Sequence, residues 1–287
     1  MEIITKLTPV ALFYIMFSLG LQSKFSDFKK VLTNPKNLII GLSSQMIILP
    51  IIGLLFAYFL PISQNYKIGI VLITCVPSTV ASNYLTKIIN GNIYLSISMT
   101  AISSLISFIS IPLILSKIVP ALGLMNVTKF DLSFLKMSAL LFIISTVPIL
   151  LGILFNSKFN NFSKTVVTFF SRSSIIIFIC IIFIAWYSEF EMSIKAYKEL
   201  FWVLVMLSSS ILVYVNILVK ALNVNAKDSK TIITENFIQN GAMAIIVGSA
   251  IFGLGTGYLF IVAIYSLFQY KVFFVWYLLD KKLNKFV

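Results

Sequence analysis

Histidine is absent from this 287-residue chain, and only two cysteines, Cys75 and Cys180, are present. The commonest metal ligand and general base is therefore missing. Both cysteines sit inside apolar runs; they read as small packing residues, with no disulfide or redox motif. Charge is scarce too, at 11% of residues, and the acidic residues number nine. Neither His-Glu-x-x-His, a Gly-x-Ser-x-Gly nucleophile turn nor paired membrane aspartates occur. The chain is accordingly not read as an enzyme, intramembrane hydrolases included, and no cofactor is expected.

What the chain has in abundance is apolar surface: 59% of residues are hydrophobic and the mean hydropathy is +1.02. A water-soluble domain could not hide that much, so lipid is the expected solvent for most of the protein. The formal charge of +13 is scattered between apolar runs and never gathers on one face. Nucleic acid, which needs a clustered basic surface, is excluded as a partner. The first apolar run is followed by Gln22-Ser23-Lys24 without a small-residue cleavage pattern, and is expected to be a retained helix.

A helix needs about 20 apolar residues to cross the hydrocarbon. That rule places nine crossings near 5–23, 38–60, 67–89, 92–119, 134–155, 172–190, 199–222, 230–254 and 257–279. The expected fold is an all-α polytopic membrane protein forming a single transmembrane domain over residues 1–287. Basic residues in the loops after the first, third, fifth and seventh segments and at the C-terminus outnumber those opposite by about two to one. The poorer side also carries Glu189, Glu191 and Glu199. The expected topology has the N-terminus outside and the C-terminus cytoplasmic, in a cell membrane.

Two of the nine segments are interrupted by polar residues. The third contains Pro77-Ser78-Thr79-Val80-Ala81-Ser82-Asn83, and the eighth contains Thr234-Glu235-Asn236-Phe237-Ile238-Gln239-Asn240. An ionised side chain at bilayer depth costs several kcal/mol, on the order of 3 on lenient scales, and usually lines a cavity or binds an ion. Unwound backbone at that depth survives only where protein or water covers it. Both segments therefore belong at the centre of the bundle, as in secondary transporters, whose sites form between discontinuous helices. Aligning the third helix with the eighth gives an odd offset of five. The architecture expected is an inverted repeat, a core plus a panel, with the two broken helices crossed. The first repeat covers about 1–120 and lacks one helix; the second covers about 133–280.

Pro77 removes a backbone donor, and Ser78, Thr79, Ser82 and Asn83 offer oxygens beside it. The next helix aligns Ser96, Thr100, Ser103, Ser104 and Ser107 on one face. The last three are expected to serve close helix packing. Glu235, Gln239 and Asn240 supply further hard oxygens. One carboxylate among hydroxyls and amides suits a dehydrated monovalent cation, whereas Ca²⁺ wants more negative charge and soft metals want sulfur or imidazole. Proton coupling through Glu235, or a simple pairing with Lys230, stays open on these residues alone. Gln45, an amide inside an apolar helix, needs a partner, whether a neighbouring helix or an ion.

Several short stretches, in order, resemble the bile acid:sodium symporter family. They are Met16-Phe17-Ser18-Leu19-Gly20-Leu21, Phe25-Ser26-Asp27-Phe28, Asn34-Pro35-Lys36, Gln45 to Pro50, Ala81-Ser82-Asn83, Gly91-Asn92 before Leu95 to Thr100, and Glu235 to Asn240. The resemblance implies two sodium ions beside the crossed breaks. One would be held by Ser82, Asn83, Ser96, Thr100 and Glu235. The other would use Gln45, Glu235, Gln239 and main-chain carbonyls near Asn236 and Ile238. The chain departs from the family where Pro77-Ser78-Thr79-Val80 replaces Pro-Gly-Gly-Thr, and where Asn236-Phe237 replaces Val-Gly.

The expected activity is sodium-coupled symport of a small organic anion: bile-acid-like, pantoate-like or a keto acid. Ser78, Thr79, Asn240 and Gln269 are the candidate substrate contacts, because helix N-termini at the breaks favour a carboxylate. Lys271 either faces the same cavity or snorkels to the interface. A proton-coupled transporter or an exporter of the same fold is the alternative, and the residues do not fix the oligomeric state.

Overall fold

The computed structural model describes residues 2–23, 25–33, 35–124, 133–158, 164–188, 190–252 and 257–283. Lys24, Asn34 and Glu189 lie outside them. The described residues are helical, without a named strand. In chain order the helices are α1 (Glu2–Gln22), α2 (Phe25–Leu32), α3 (Lys36–Phe59), α4 (Gln64–Cys75), α5 (Val80–Ile88) and α6 (Ile93–Ala121). There follow α7 (Phe134–Lys158), α8 (Lys164–Ser188), α9 (Phe190–Ala221), α10 (Ala226–Phe237), α11 (Gly241–Phe252) and α12 (Phe260–Leu283). Among the described residues, five stretches are long and apolar enough to cross a bilayer: Lys36–Phe59, Ile93–Ala121, Phe134–Lys158, Leu200–Ala221 and Phe260–Leu279. Pro9–Gln22, Thr165–Ile181 and Gly241–Phe252 are shorter apolar helices.

Two boundaries differ most from the hydropathy reading. The helix expected from 172 begins at Lys164, and the one expected from 199 begins at Phe190. Hydropathy marks the part of a helix that sits in hydrocarbon, whereas backbone hydrogen bonding continues past it into polar sequence.

Proline sets much of the local geometry. The residue before a proline is pushed out of the helical region. Leu60 and Val76 are accordingly extended (ψ 134° and 151°), ending α3 before Pro61 and α4 before Pro77. Inside α3, α6 and α7 the response is different. Ser44–Ile48, Ile114–Ile118 and Phe142–Thr146 form wide π turns, each ending two residues before Pro50, Pro120 or Pro148. Widening the preceding turn relieves the clash of the proline ring with the carbonyl four residues back and keeps the helix continuous.

Helix α1 packs on α7 and α8, α3 on α4, α6 on α7, and α9 on α10. The α1–α7 crossing is backbone to backbone: a Cβ on Gly20 would overlap the Ile149 carbonyl oxygen, and one on Gly152 would overlap that of Phe17. Small residues permit such an approach, which drives helix association in lipid. At one end of the bundle a single carboxylate joins three helix starts. Asp228 accepts from the carboxamides of Asn37 (2.6 Å), Asn92 (2.7 Å) and Asn225 (2.7 Å), at the beginnings of α3, α6 and α10.

Candidate cation site at the crossed helix breaks

The two interruptions meet. Residues 76–79 separate α4 from α5, residues 238–240 separate α10 from α11, and Ser78 pairs with Gln239 as an isolated antiparallel bridge. The Asn240 N–H donates to the Pro77 carbonyl (2.9 Å). The causes of the two breaks differ. Pro77 imposes the first. The second has no proline, and tertiary hydrogen bonds hold it open. Gln269 on α12 acts as a surrogate strand there: its Oε1 accepts from the Gln239 N–H (2.8 Å) and its Nε2 donates to the Gln239 carbonyl (3.0 Å). Gly241 lets α11 start hard against α12, where a Cβ would overlap the Ser266 hydroxyl.

Glu235, in the last turn of α10, is fully buried. Its Oε1 accepts from Ser82 (2.7 Å) and from Ser96; its Oε2 accepts from Thr100 (2.7 Å) and from Ser78. Asn83 turns its Oδ1 toward the same cluster, 2.7 Å from the Ser96 hydroxyl and 3.3 Å from that of Thr100. Five residues from α5, α6 and the first break thus surround one carboxylate with oxygen. Lys230 is not among its partners.

A second group of oxygens lies one turn away. Gln45 Nε2 donates to the Glu235 carbonyl (2.8 Å), and Gln239 Nε2 donates to the Asn236 carbonyl (2.6 Å). Both amide oxygens, Gln45 Oε1 and Gln239 Oε1, are buried with no donor among the described residues. Buried acceptors without a partner are rare and costly, and a cation satisfies them as well as a proton donor does. The donor set is hard oxygen throughout and carries one formal charge, which fits an alkali cation. The π turn in α3 contributes directly, since it contains both Gln45 and Ser44.

The sequence-derived candidates divide as follows. Gln45, Ser82, Asn83, Ser96, Thr100, Glu235, Asn236 and Gln239 gather at the crossing. Ile238 is the extended residue that opens the second break (φ −92°, ψ 98°). Of the substrate candidates, Ser78 joins the carboxylate cluster and Gln269 pins backbone. Asn240 Oδ1 accepts the Met243 N–H (3.0 Å) at the start of α11, while Thr79 begins α5 without a side-chain cap bond. Ser103 and Ser107 donate to carbonyls of their own helix, at Met99 (2.7 Å) and Ser104 (2.6 Å), whereas the buried Ser104 hydroxyl has no partner among the described residues. Lys271 is exposed. Cys75 is buried, but Cys180 is exposed and does not pack in a core.

Two residues escaped the sequence reading. Ser44 donates to Asn236 Oδ1 (2.6 Å) and hydrogen-bonds the half-buried Tyr214 hydroxyl on α9. The Ser43-Ser44-Gln45 polar step inside an apolar helix was a usable signal for Ser44; Tyr214 offered none.

The profile of the family described as "Sodium Bile acid symporter family" matches residues 9–196. The chain belongs to this family. The matched stretch holds Gln45, Ser78, Ser82, Asn83, Ser96 and Thr100, whereas Glu235 and Gln239 lie beyond it. Among its relatives, the probable sodium/metabolite cotransporter BASS2 of rice is 30% identical over 164 residues, 57% of this chain and 38% of the relative. The uncharacterized sodium-dependent transporter YocS of Bacillus subtilis is 35% identical over 101 residues, covering 35% and 32%. The rat hepatic sodium/bile acid cotransporter is 31% identical over 147 residues, covering 51% and 40%. These matches span between about a third and two fifths of the relatives' own lengths. Family and apolar helices together make this a multi-pass membrane protein of a sodium-coupled transporter family, and its relatives are transporters.

Proposed function

We propose that this protein imports a small organic anion by symport with sodium, and that the ions bind at the crossed breaks. The observation that carries this reading is the buried Glu235 carboxylate ringed by four hydroxyls, with two donorless amide oxygens beside it. The first ion would lie among Glu235, Ser82, Asn83, Ser96 and Thr100. The second would lie between Gln45 Oε1, Gln239 Oε1 and the carbonyls about Asn236 and Ile238; carbonyl oxygens have two lone pairs, so one already accepting an amide N–H can still coordinate. No organic cofactor enters the reading.

The anion would sit beside the N-terminal ends of α5 and α11, whose free amides and positive dipole ends favour a carboxylate. Thr79 and Asn240 are its contacts in this reading. The Thr79 hydroxyl forms no cap bond, and the Asn240 carboxamide oxygen accepts the Met243 N–H. Sodium would hold the two breaks in the geometry that creates the anion site. The packing of α1 against both α7 and α8 supports their role as a panel against which the core rocks. Nine crossings in a single domain, an inverted repeat, an outside N-terminus, a cytoplasmic C-terminus and a cell-membrane location complete the proposal. Two cations with one monoanion would move net positive charge inward, so uptake would respond to membrane potential by about 2.3 kcal/mol per charge per 100 mV.

The test is uptake into proteoliposomes of a panel of bile-acid-like, pantoate-like and keto acids, with sodium or choline outside at fixed pH. Sodium-dependent accumulation of at least one anion is expected. Equal rates in sodium and choline, with accumulation driven by a pH gradient, would establish proton coupling instead.

A further inference from the structure

Ser78 occupies the first break, and four features define its setting. It is fully buried. Its backbone is held by the pairing with Gln239 and by the Asn240-to-Pro77 bond beside it. Its hydroxyl donates to Glu235 Oε2 and lies 3.0 Å from Thr100 Oγ1. The side chain therefore points into the carboxylate cluster from a fixed backbone.

The decisive point is where the hydroxyl protons can go. Ser, Thr and carboxylate oxygens can face a cation only if the hydroxyl protons that now point at Glu235 turn elsewhere. Each hydroxyl has an alternative acceptor. Ser82 lies 2.6 Å from the Thr79 carbonyl, Ser96 lies 2.7 Å from Asn83 Oδ1, and Thr100 lies 3.0 Å from the Ser96 carbonyl. Ser78 can hand its proton to Thr100 Oγ1, which in turn points its own at the Ser96 carbonyl. Rotating four hydroxyls, without moving any backbone, converts a ring of donors into a ring of lone pairs around Glu235.

We propose that Ser78 is a sodium ligand and affinity-determining residue of this chain, its hydroxyl coordinating the ion beside Glu235 and Thr100. The proposal rests on the sodium reading above and assigns Ser78 to the ion rather than to the organic anion.

The test uses purified full-length protein, with sodium alone as the probe. Melting temperature is followed against NaCl titrated into choline chloride at constant ionic strength, for wild type, Ser78→Ala, Ser78→Cys and Ser78→Thr. Losing one hydrogen-bonding oxygen from a buried site is expected to raise the sodium midpoint roughly tenfold in Ser78→Ala. Ser78→Cys keeps the volume but offers a soft, weak acceptor, so its midpoint should rise similarly. Ser78→Thr, which retains the hydroxyl, should stay within about threefold of wild type. Midpoints of Ser78→Ala and Ser78→Cys within twofold of wild type would overturn the assignment while leaving the sodium site intact. A wild-type protein whose melting temperature ignores sodium would overturn the sodium reading, and this assignment with it.

Discussion

Replacing Glu235 by Gln removes the charge while keeping the shape. One carboxylate oxygen becomes an NH₂ group, so two hydroxyls, either Ser78 and Thr100 or Ser82 and Ser96, face a donor. Hydrogen bonds to a charged group are each worth about 1.5–3 kcal/mol. The alternative acceptors at the Thr79 and Ser96 carbonyls recover much of that, so the net folding loss should be about 1–2 kcal/mol. The cation loses far more. A unit charge about 4 Å away in a medium of effective dielectric about 20 contributes on the order of 4 kcal/mol, nearly a thousandfold in affinity. At a sodium concentration about 100 times Kd the wild type gains about 2.7 kcal/mol. For a chain of this size that is a rise in Tm of roughly 5 °C or more. Differential scanning fluorimetry in NaCl against choline chloride reads both quantities. Glu235→Gln should melt only a few degrees below wild type in choline and show no sodium-specific rise. A variant that retains the full sodium shift would refute the placement of the ion at this carboxylate.

Gln45→Leu removes one donorless oxygen and leaves the Glu235 carbonyl without its amide; uptake should lose its cooperative dependence on sodium, the Hill coefficient falling toward one in flux assays. Asp228→Asn leaves one acceptor oxygen for the three carboxamide donors at the starts of α3, α6 and α10 and sets an NH₂ group against at least one of them. It should cost about 2–4 kcal/mol, seen as a lower Tm equally in sodium and in choline. Gly152→Val forces α1 away from α7. Overpacking of this kind costs about 1–3 kcal/mol or more, and the variant should melt earlier while its sodium midpoint stays unchanged.

The centre of the site was legible because its residues violate their surroundings. A carboxylate and a Gln-Asn pair inside an apolar stretch, and a proline followed by hydroxyl residues in another, have few uses at bilayer depth. Their juxtaposition was inferable from that cost alone, and Ser78 does meet Gln239. Direction was not legible. Residue type says that Ser78 and Gln269 carry polar atoms, but both choose partners more than a helix away: Ser78 turns to Glu235, and Gln269 to the backbone of Gln239. Tyr214 reaches Ser44 across 170 positions, a link that no local pattern encodes. The starts of α8 and α9 were missed for another reason, since apolar length reports immersion and not where hydrogen bonding begins.

The short bridge between residues 78 and 239 restricts how the machine can work. Sliding or twisting one interrupted helix past the other would sever the Asn240-to-Pro77 main-chain hydrogen bond in a buried interior. Under the proposed symport, the two interrupted helices would therefore move as one body, with the pairing at residues 78 and 239 kept intact while access changes around it.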